Sequence, residues 1–144
     1  MSDPILNTVN YANPTGERPW QREFRSRLPF EETLLALKDG LQAESLLLIH
    51  EIDPQRLAER GGYAIGATRQ LLFFHPRYLV RLLEGDSSAL MEAPLKLVIT
   101  EQPDSSVILR HSDVAAAFQR YPALSKLGAE LDELFQRLVA RVSA

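Results

Sequence analysis

The chain of 144 residues has no cysteine. This absence removes disulfide scaffolds, thiolate nucleophiles, iron–sulfur clusters and cysteine-based zinc sites. Long apolar runs are missing too: the stretch Leu46–Ile49 is typical, far short of the roughly 20 residues needed to cross a bilayer. No basic start followed by an apolar run opens the sequence, since Met1–Asp3 leads into Pro4 and a polar stretch. No secretory signal is read from it, and a cytoplasmic location with no membrane partner is expected. Nor is there an excess of positive charge. The 16 basic and 19 acidic side chains leave a net −3, without global attraction for a phosphate backbone, so no nucleic-acid partner is expected.

What the sequence does contain is ordinary globular material. Hydrophobic residues make up 45% and charged residues 24%, which excludes a wholly disordered chain and fits one domain. Residues 1–18, with Asn7, Asn10, Asn13-Pro14 and Thr15-Gly16, carry little periodic apolar content and read as a flexible arm. Within it, Ile5, Val9 and Tyr11 leave room for packing against the body or a neighbour. Residues 19–144 form the single folded domain.

Trp20, Phe24 and Leu28 alternate with Gln21, Glu23, Arg25 and Arg27, the period-two pattern of a half-buried strand. Pro29 then opens a helix whose stripe is Phe30, Leu34, Leu37 and Leu41. A strand follows over Leu46–Ile52, with Leu46, Leu48, His50 and Ile52 on one face and Leu47, Ile49 and Glu51 on the other. Asp53-Pro54 starts a short helix that Gly61-Gly62 ends. Gln70–Phe74 is the next strand, and Tyr78, Leu79, Leu82 and Leu83 the stripe of a helix closed by Gly85. Leu95–Glu101 and Val107–His111 form a hairpin around the turn Pro103-Asp104-Ser105. Leu124, Leu127, Leu131, Leu134, Leu138 and Val142 predict a long final helix.

The order β-α-β-α-β-α-β-β-α predicts an α+β two-layer sandwich: a mixed, mostly antiparallel sheet with helices on one face. Several strands are apolar on both sides, at Leu47 and Ile49, Leu72 and Phe74, and Ile108. Helices on one side cannot cover both faces. Short helices or a second copy must cover the back, and a homodimer is expected because two-fold dimers are the commonest closed assembly.

Four segments carry a family resemblance. Phe30-Glu31-Glu32-Thr33 opens the first helix, and His50-Glu51-Ile52-Asp53 ends the second strand. Leu72-Phe73-Phe74-His75-Pro76 leads into a helix, and Ala93-Pro94-Leu95-Lys96-Leu97-Val98 opens the hairpin. In this order, about Trp20 to Val142 resemble the bacterial and archaeal domain of unknown function 302 family. The resemblance implies a two-layer fold similar to one repeat of the TATA-binding-protein architecture, and dimers, but no activity. Many relatives have a small residue, Cys and Asn before the proline where this chain has Phe73, Phe74 and His75. No cysteine-dependent redox or metal role is therefore carried over.

The residues leave two functional readings open. The first is a non-enzymatic dimeric module that binds a ligand or partner near His50, His75, Lys96 and Arg110, with Arg69 adding to a cationic spot and no cofactor. The second is a metal-assisted or acid–base enzyme using His50 and His75 with Glu51 and Glu101, since imidazole and carboxylate together suit zinc, manganese or iron. The histidines lie tens of residues apart, without metal-ligand spacing, and alternation separates His50 from Glu51. A capping role is the competing account of His75. Gly61-Gly62-Tyr63-Ala64-Ile65-Gly66 lacks both the Gly-x-Gly-x-x-Gly spacing and the lysine of a phosphate loop. Arg18, Arg22, Arg25 and Arg27, diluted by Glu17 and Glu23, read as a solvated strand face, with an RNA-binding patch as the alternative.

Overall fold

A computed structural model describes residues 5–144; Met1–Pro4, at the start of the expected arm, lie outside the described residues. The elements are β1 (Asn7–Thr8), β2 (Gln21–Arg25), α1 (Phe30–Ala43), β3 (Leu47–Ile52), α2 (Pro54–Arg60), β4 (Tyr63–Ala64) and β5 (Thr68–Phe74). Then come α3 (Pro76–Gly85), a 3-10 segment (Ser87–Glu92), β6 (Leu95–Glu101), β7 (Val107–Ser112), α4 (Val114–Phe118) and α5 (Ser125–Ala140). The main sheet has the order β2-β7-β6-β5-β3, every pairing is antiparallel, and β1 with β4 forms a separate two-stranded parallel pair. The protein is an α+β fold of two layers.

The pleat sorts the side chains. Leu71 and Phe73 of β5, Leu95, Leu97 and Ile99 of β6, and Val107, Leu109 and His111 of β7 are buried. They meet Phe30, Leu34, Leu37 and Leu41 of α1 and Leu127, Leu131, Leu134, Phe135 and Leu138 of α5 in one cluster. Both helical stripes are those the spacing predicts. Phe73 and Phe135 join the layers through an edge-on ring contact at 5.7 Å.

The strand expected over Trp20–Leu28 stops at Arg25. Ser26 turns inward, where Leu28 N–H donates to its hydroxyl at 3.1 Å and the Thr33 hydroxyl donates to Leu28 O at 3.1 Å. The two hydroxyls lie 2.6 Å apart, so side chains satisfy a corner that strand pairing cannot. On the outer edge of β2, Arg27 N–H donates to Val142 O and Ala144 N–H to Arg25 O, at 2.8 and 2.9 Å. The C-terminal residues thus close that edge. In the hairpin turn, Asp104 accepts the backbone N–H of Ser106 at 2.9 Å and its hydroxyl.

A bulge corrects the alternation expected in β3. Leu48 is in register with Phe73 and His50 with Leu72, so Ile49 is an extra residue. Leu48 therefore faces the helices while His50 faces the opposite side. The arm segment is held at specific points. Asn7 N–H donates to Gly62 O, Val9 N–H to Ala64 O, and Gly66 N–H to the Tyr11 hydroxyl at 3.0 Å.

α5 packs closely on α4 at Gly128, where a Cβ would lie 2.5 Å from Phe118 Cβ. At Gly40 a Cβ would instead meet the flexible Arg141 side chain at 2.8 Å, with Leu138 Cδ2 at 3.2 Å. Gly128→Ala should therefore lower stability by about 1–2 kcal/mol, overpacking outweighing the helix-propensity gain. Gly40→Ala should leave stability level or raise it by up to about 1 kcal/mol. Urea unfolding of both variants checks this, and equal losses at the two sites would contradict it.

Candidate functional site

On the even-numbered side of β5, β6 and β7, Gln70, Leu72, Lys96, Val98, Thr100, Ile108 and Arg110 remain partly or fully exposed, while Phe74 at the end of β5 is buried against Tyr78 of α3. The residues of this side run across the sheet in register. One row is Ile52, Gln70, Val98, Arg110 and Glu23; the next is Thr68, Thr100, Ile108 and Arg25. A third holds His50, Leu72 and Lys96. The arm occupies one end of this face. Asn10–Pro14 share a cleft with Thr100, Gln102 and Arg110, and Pro14 shares another with Ile108 and Glu23. The other end, around Leu72, Lys96 and Val98, stays open.

Three of the four expected ligand-binding residues, His50, Lys96 and Arg110, share this open face. His75 does not join them. It lies beyond the end of β5, three residues past the partner of His50, or roughly 10 Å along a strand. Its Nδ1 accepts the Arg77 N–H at 2.9 Å, so it caps α3 and its Nδ1 lone pair is already used. Glu51 is in register with Leu71 on the helix side, opposite His50. Its carboxylate pairs with Lys38 and, at 3.4 Å, with Arg69. Arg69 also pairs with Asp53 at 3.0 Å and lies over the Phe30 ring. The cationic spot expected from Arg69, Lys96 and Arg110 is thereby corrected: Arg69 belongs to the other face. Glu101 sits five residues along β6 from Lys96, roughly 17 Å away, beside Tyr11 and Gly66. Among the described residues no three histidine, aspartate or glutamate side chains form a group that could hold a metal.

Of the basic cluster near the N-terminus, Arg18 pairs with Glu23 at 3.4 Å and Arg22 with Asp113 at 2.8 Å. Arg27 donates to Arg141 O at 3.0 Å. Arg110 pairs with Glu23 at 2.9 Å. Lys96 makes no ion pair among the described residues.

Trp20 is a residue that the alternation misplaces. Read as the first inward side chain of a strand, it is instead 63% exposed. It precedes the first paired residue of β2, and its carbonyl accepts Asp113 N–H at 2.9 Å, so its backbone is pinned while the indole stays outside. Together with Gln21, Lys96, Val98, Arg110 and Ser112 it lines a cleft of about 220 Å³. Behind that cleft His111 is buried, its ring stacked on Phe135 at 3.9 Å and facing Phe24 at 5.7 Å. Its Nδ1–H donates to Ser112 O at 2.7 Å.

Comparison with known proteins agrees with this architecture. A family model described as "Domain of unknown function DUF302" matches residues 22–143. The crystal structure of an uncharacterized conserved DUF302 protein from Bacillus stearothermophilus is similar, with a TM-score of 0.77 and 15% sequence identity. The match covers 85% of this chain and 97% of that one. No curated protein matches the sequence.

Burial pushes the His111 imidazole below its ordinary range, against the smaller opposing effect of its bond to Ser112 O. The folded protein therefore holds the ring neutral where the unfolded chain, with a pKa of about 6.5, begins to bind a proton. The resulting stability is complete above that value and is lost as pH falls from it toward the lowered folded value. Melting temperature should decline between about pH 7 and 5, and the decline should be smaller in His111→Phe, which keeps the stack without the titrating group. Equal declines in the two proteins would contradict this.

Proposed function

The chain belongs to the DUF302 family, a domain of unknown function, and we propose that it acts as a homodimeric binding domain, joined to a second copy along β3 and offering the open sheet face to a ligand. The family description assigns no chemistry, so the reading rests on the surface of this chain. The observation that carries it is the outer edge of β3. Leu47, Leu48 and Ile49 are 55%, 39% and 58% exposed there. Among the described residues no backbone hydrogen bond reaches that edge from outside the sheet.

Edge strands are ordinarily shielded by charge, proline or a covering segment. The opposite edge, β2, has such protection: Arg22, Glu23 and Arg25 line it, and Val142–Ala144 pair along its end. The β3 edge has neither. Its one acidic group, Glu51, is neutralised by Lys38 and Arg69, so an antiparallel copy would meet no like-charge clash. Leu35 adds a further exposed apolar side chain, one turn before Lys38 on the side of α1 that meets β3. Pairing two β3 strands about a two-fold axis would satisfy the free backbone groups and remove this apolar surface from water.

Binding is preferred to catalysis because the residues an acid–base or metal-assisted enzyme would use are dispersed. His50 faces the open side, Glu51 the helices, and His75 caps α3. Light scattering at micromolar concentration should give about twice the chain mass of 16.2 kDa. Ile49→Lys, a substitution at an exposed position, should give the monomer mass with unchanged circular dichroism. A monomeric native protein, or a dimer that Ile49→Lys leaves intact, would overturn this assembly.

A further inference from the structure

We infer that the trough around Lys96 and Trp20 is a binding site for an aryl carboxylate. The inference rests on the reading of the open face as a binding surface, though not on the dimer. Two clefts adjoin there, of about 220 and 200 Å³, and Lys96 and Ser112 line both. They meet at Lys96 and Ser112, the first on the open face and the second among Leu95, Phe118 and Phe135 on the helix side.

The two halves differ in chemistry. Among the described residues, no side chain lining the half beside Trp20 is acidic. This half offers the Lys96 ammonium, the Arg110 guanidinium, the Ser112 hydroxyl, the Gln21 amide and the indole N–H as donors, above the apolar surface of Val98. The other half is walled by Pro94, Leu95, Val114, Phe118 and Phe135. Its single carboxylate, Glu92, lies within 3.4 Å of the Tyr121 hydroxyl, which donates to it.

Charge fixes the headgroup. Arg110 is already matched by Glu23, whereas Lys96 is unmatched among the described residues. One free ammonium beside a hydroxyl suits one carboxylate. It does not suit a multiply charged phosphate, which calls for several cations or a nest of backbone N–H groups. The exposed indole selects the rest of the ligand. Tryptophan is highly buried on average, yet this one presents its ring at the rim of the trough, where an aromatic ring stacks favourably. A carboxylate at Lys96 and Ser112 then places an attached ring over Val98 and against Trp20.

Trp20 is the chain's only tryptophan, so its indole N–H is a single resonance in a heteronuclear NMR spectrum. Isotope-labelled protein should be titrated with naphthoate, with naphthamide and with inorganic phosphate. Naphthoate should shift the Trp20 resonance saturably, naphthamide should bind about tenfold more weakly, and phosphate should leave the peak in place. Lys96→Gln should weaken naphthoate about tenfold without loss of fold. Absence of a naphthoate shift, equal affinity for the amide, saturation by phosphate, or an unchanged Lys96→Gln would each overturn the assignment. Monomeric Ile49→Lys should bind naphthoate as the native chain does, because β3 lies at the other end of the sheet. Failure of the dimer and failure of this site are thus read separately.

Discussion

The buried file of Leu95, Leu97 and Ile99 along the middle strand is the constraint on which the other placements depend. Because strand side chains alternate, sealing these three under α1 and α5 fixes Lys96, Val98 and Thr100 on the opposite side. Register carries the choice outward: Leu71 and Phe73 are buried through β5, and Val107, Leu109 and His111 through β7. A slip of one residue would bury Lys96 and expose Leu97. The apolar cost of that slip holds the open face, and every polar group on it, in place.

The same constraint shows which features were legible in the sequence. The stripes at Phe30, Leu34, Leu37 and Leu41 and at Leu127–Leu138 could be read because a helix buries residues by spacing alone. The hairpin strands could be read because their alternation is unbroken. Asp53 and His75 could be read as caps because a proline follows each. Two features could not be read this way. The bulge at Ile49 leaves no mark in a run of four apolar residues, Leu46–Ile49, where any parity looks acceptable. Trp20 continues a period-two pattern that the backbone abandons just before Gln21, and only the Asp113 N–H bond to its carbonyl shows where the strand begins.

Electrostatic partners lie further from sequence still. Arg69 precedes a strand and looks as available as Lys96 or Arg110, yet it is committed to Glu51 and Asp53 on the helix side. Parity would have given this: 69 is odd, with Leu71 and Phe73. The pairing of Arg110 with Glu23 was beyond reach, because it requires knowing that β2 joins β7. Histidine identity misled in the same way. His50 is exposed, His75 ends a helix, and His111 is held between two phenylalanine rings. Three equal entries in a composition become three different physical roles.

The apolar surplus on the sheet now divides by position. Near Thr100, Ile108 and Arg110 the chain's own arm lies over the face, tethered by the β1–β4 pairing and the Tyr11 hydroxyl. The sequence leaves room for such packing through Val9 and Tyr11, beside the short helices or second copy expected to cover the back. The arm borders the cleft that Ile108 lines and does not extend to Leu47 and Ile49, which stand at the far edge of the sheet. Nor does it share a cleft with Lys96, which is lined instead by Trp20 and by the Phe118–Phe135 wall. One apolar face thus presents three problems of desolvation with different geometry. The N-terminal arm borders the first, an unpaired backbone edge at β3 calls for another strand, and a donor-lined cleft calls for a small anion with a flat apolar body.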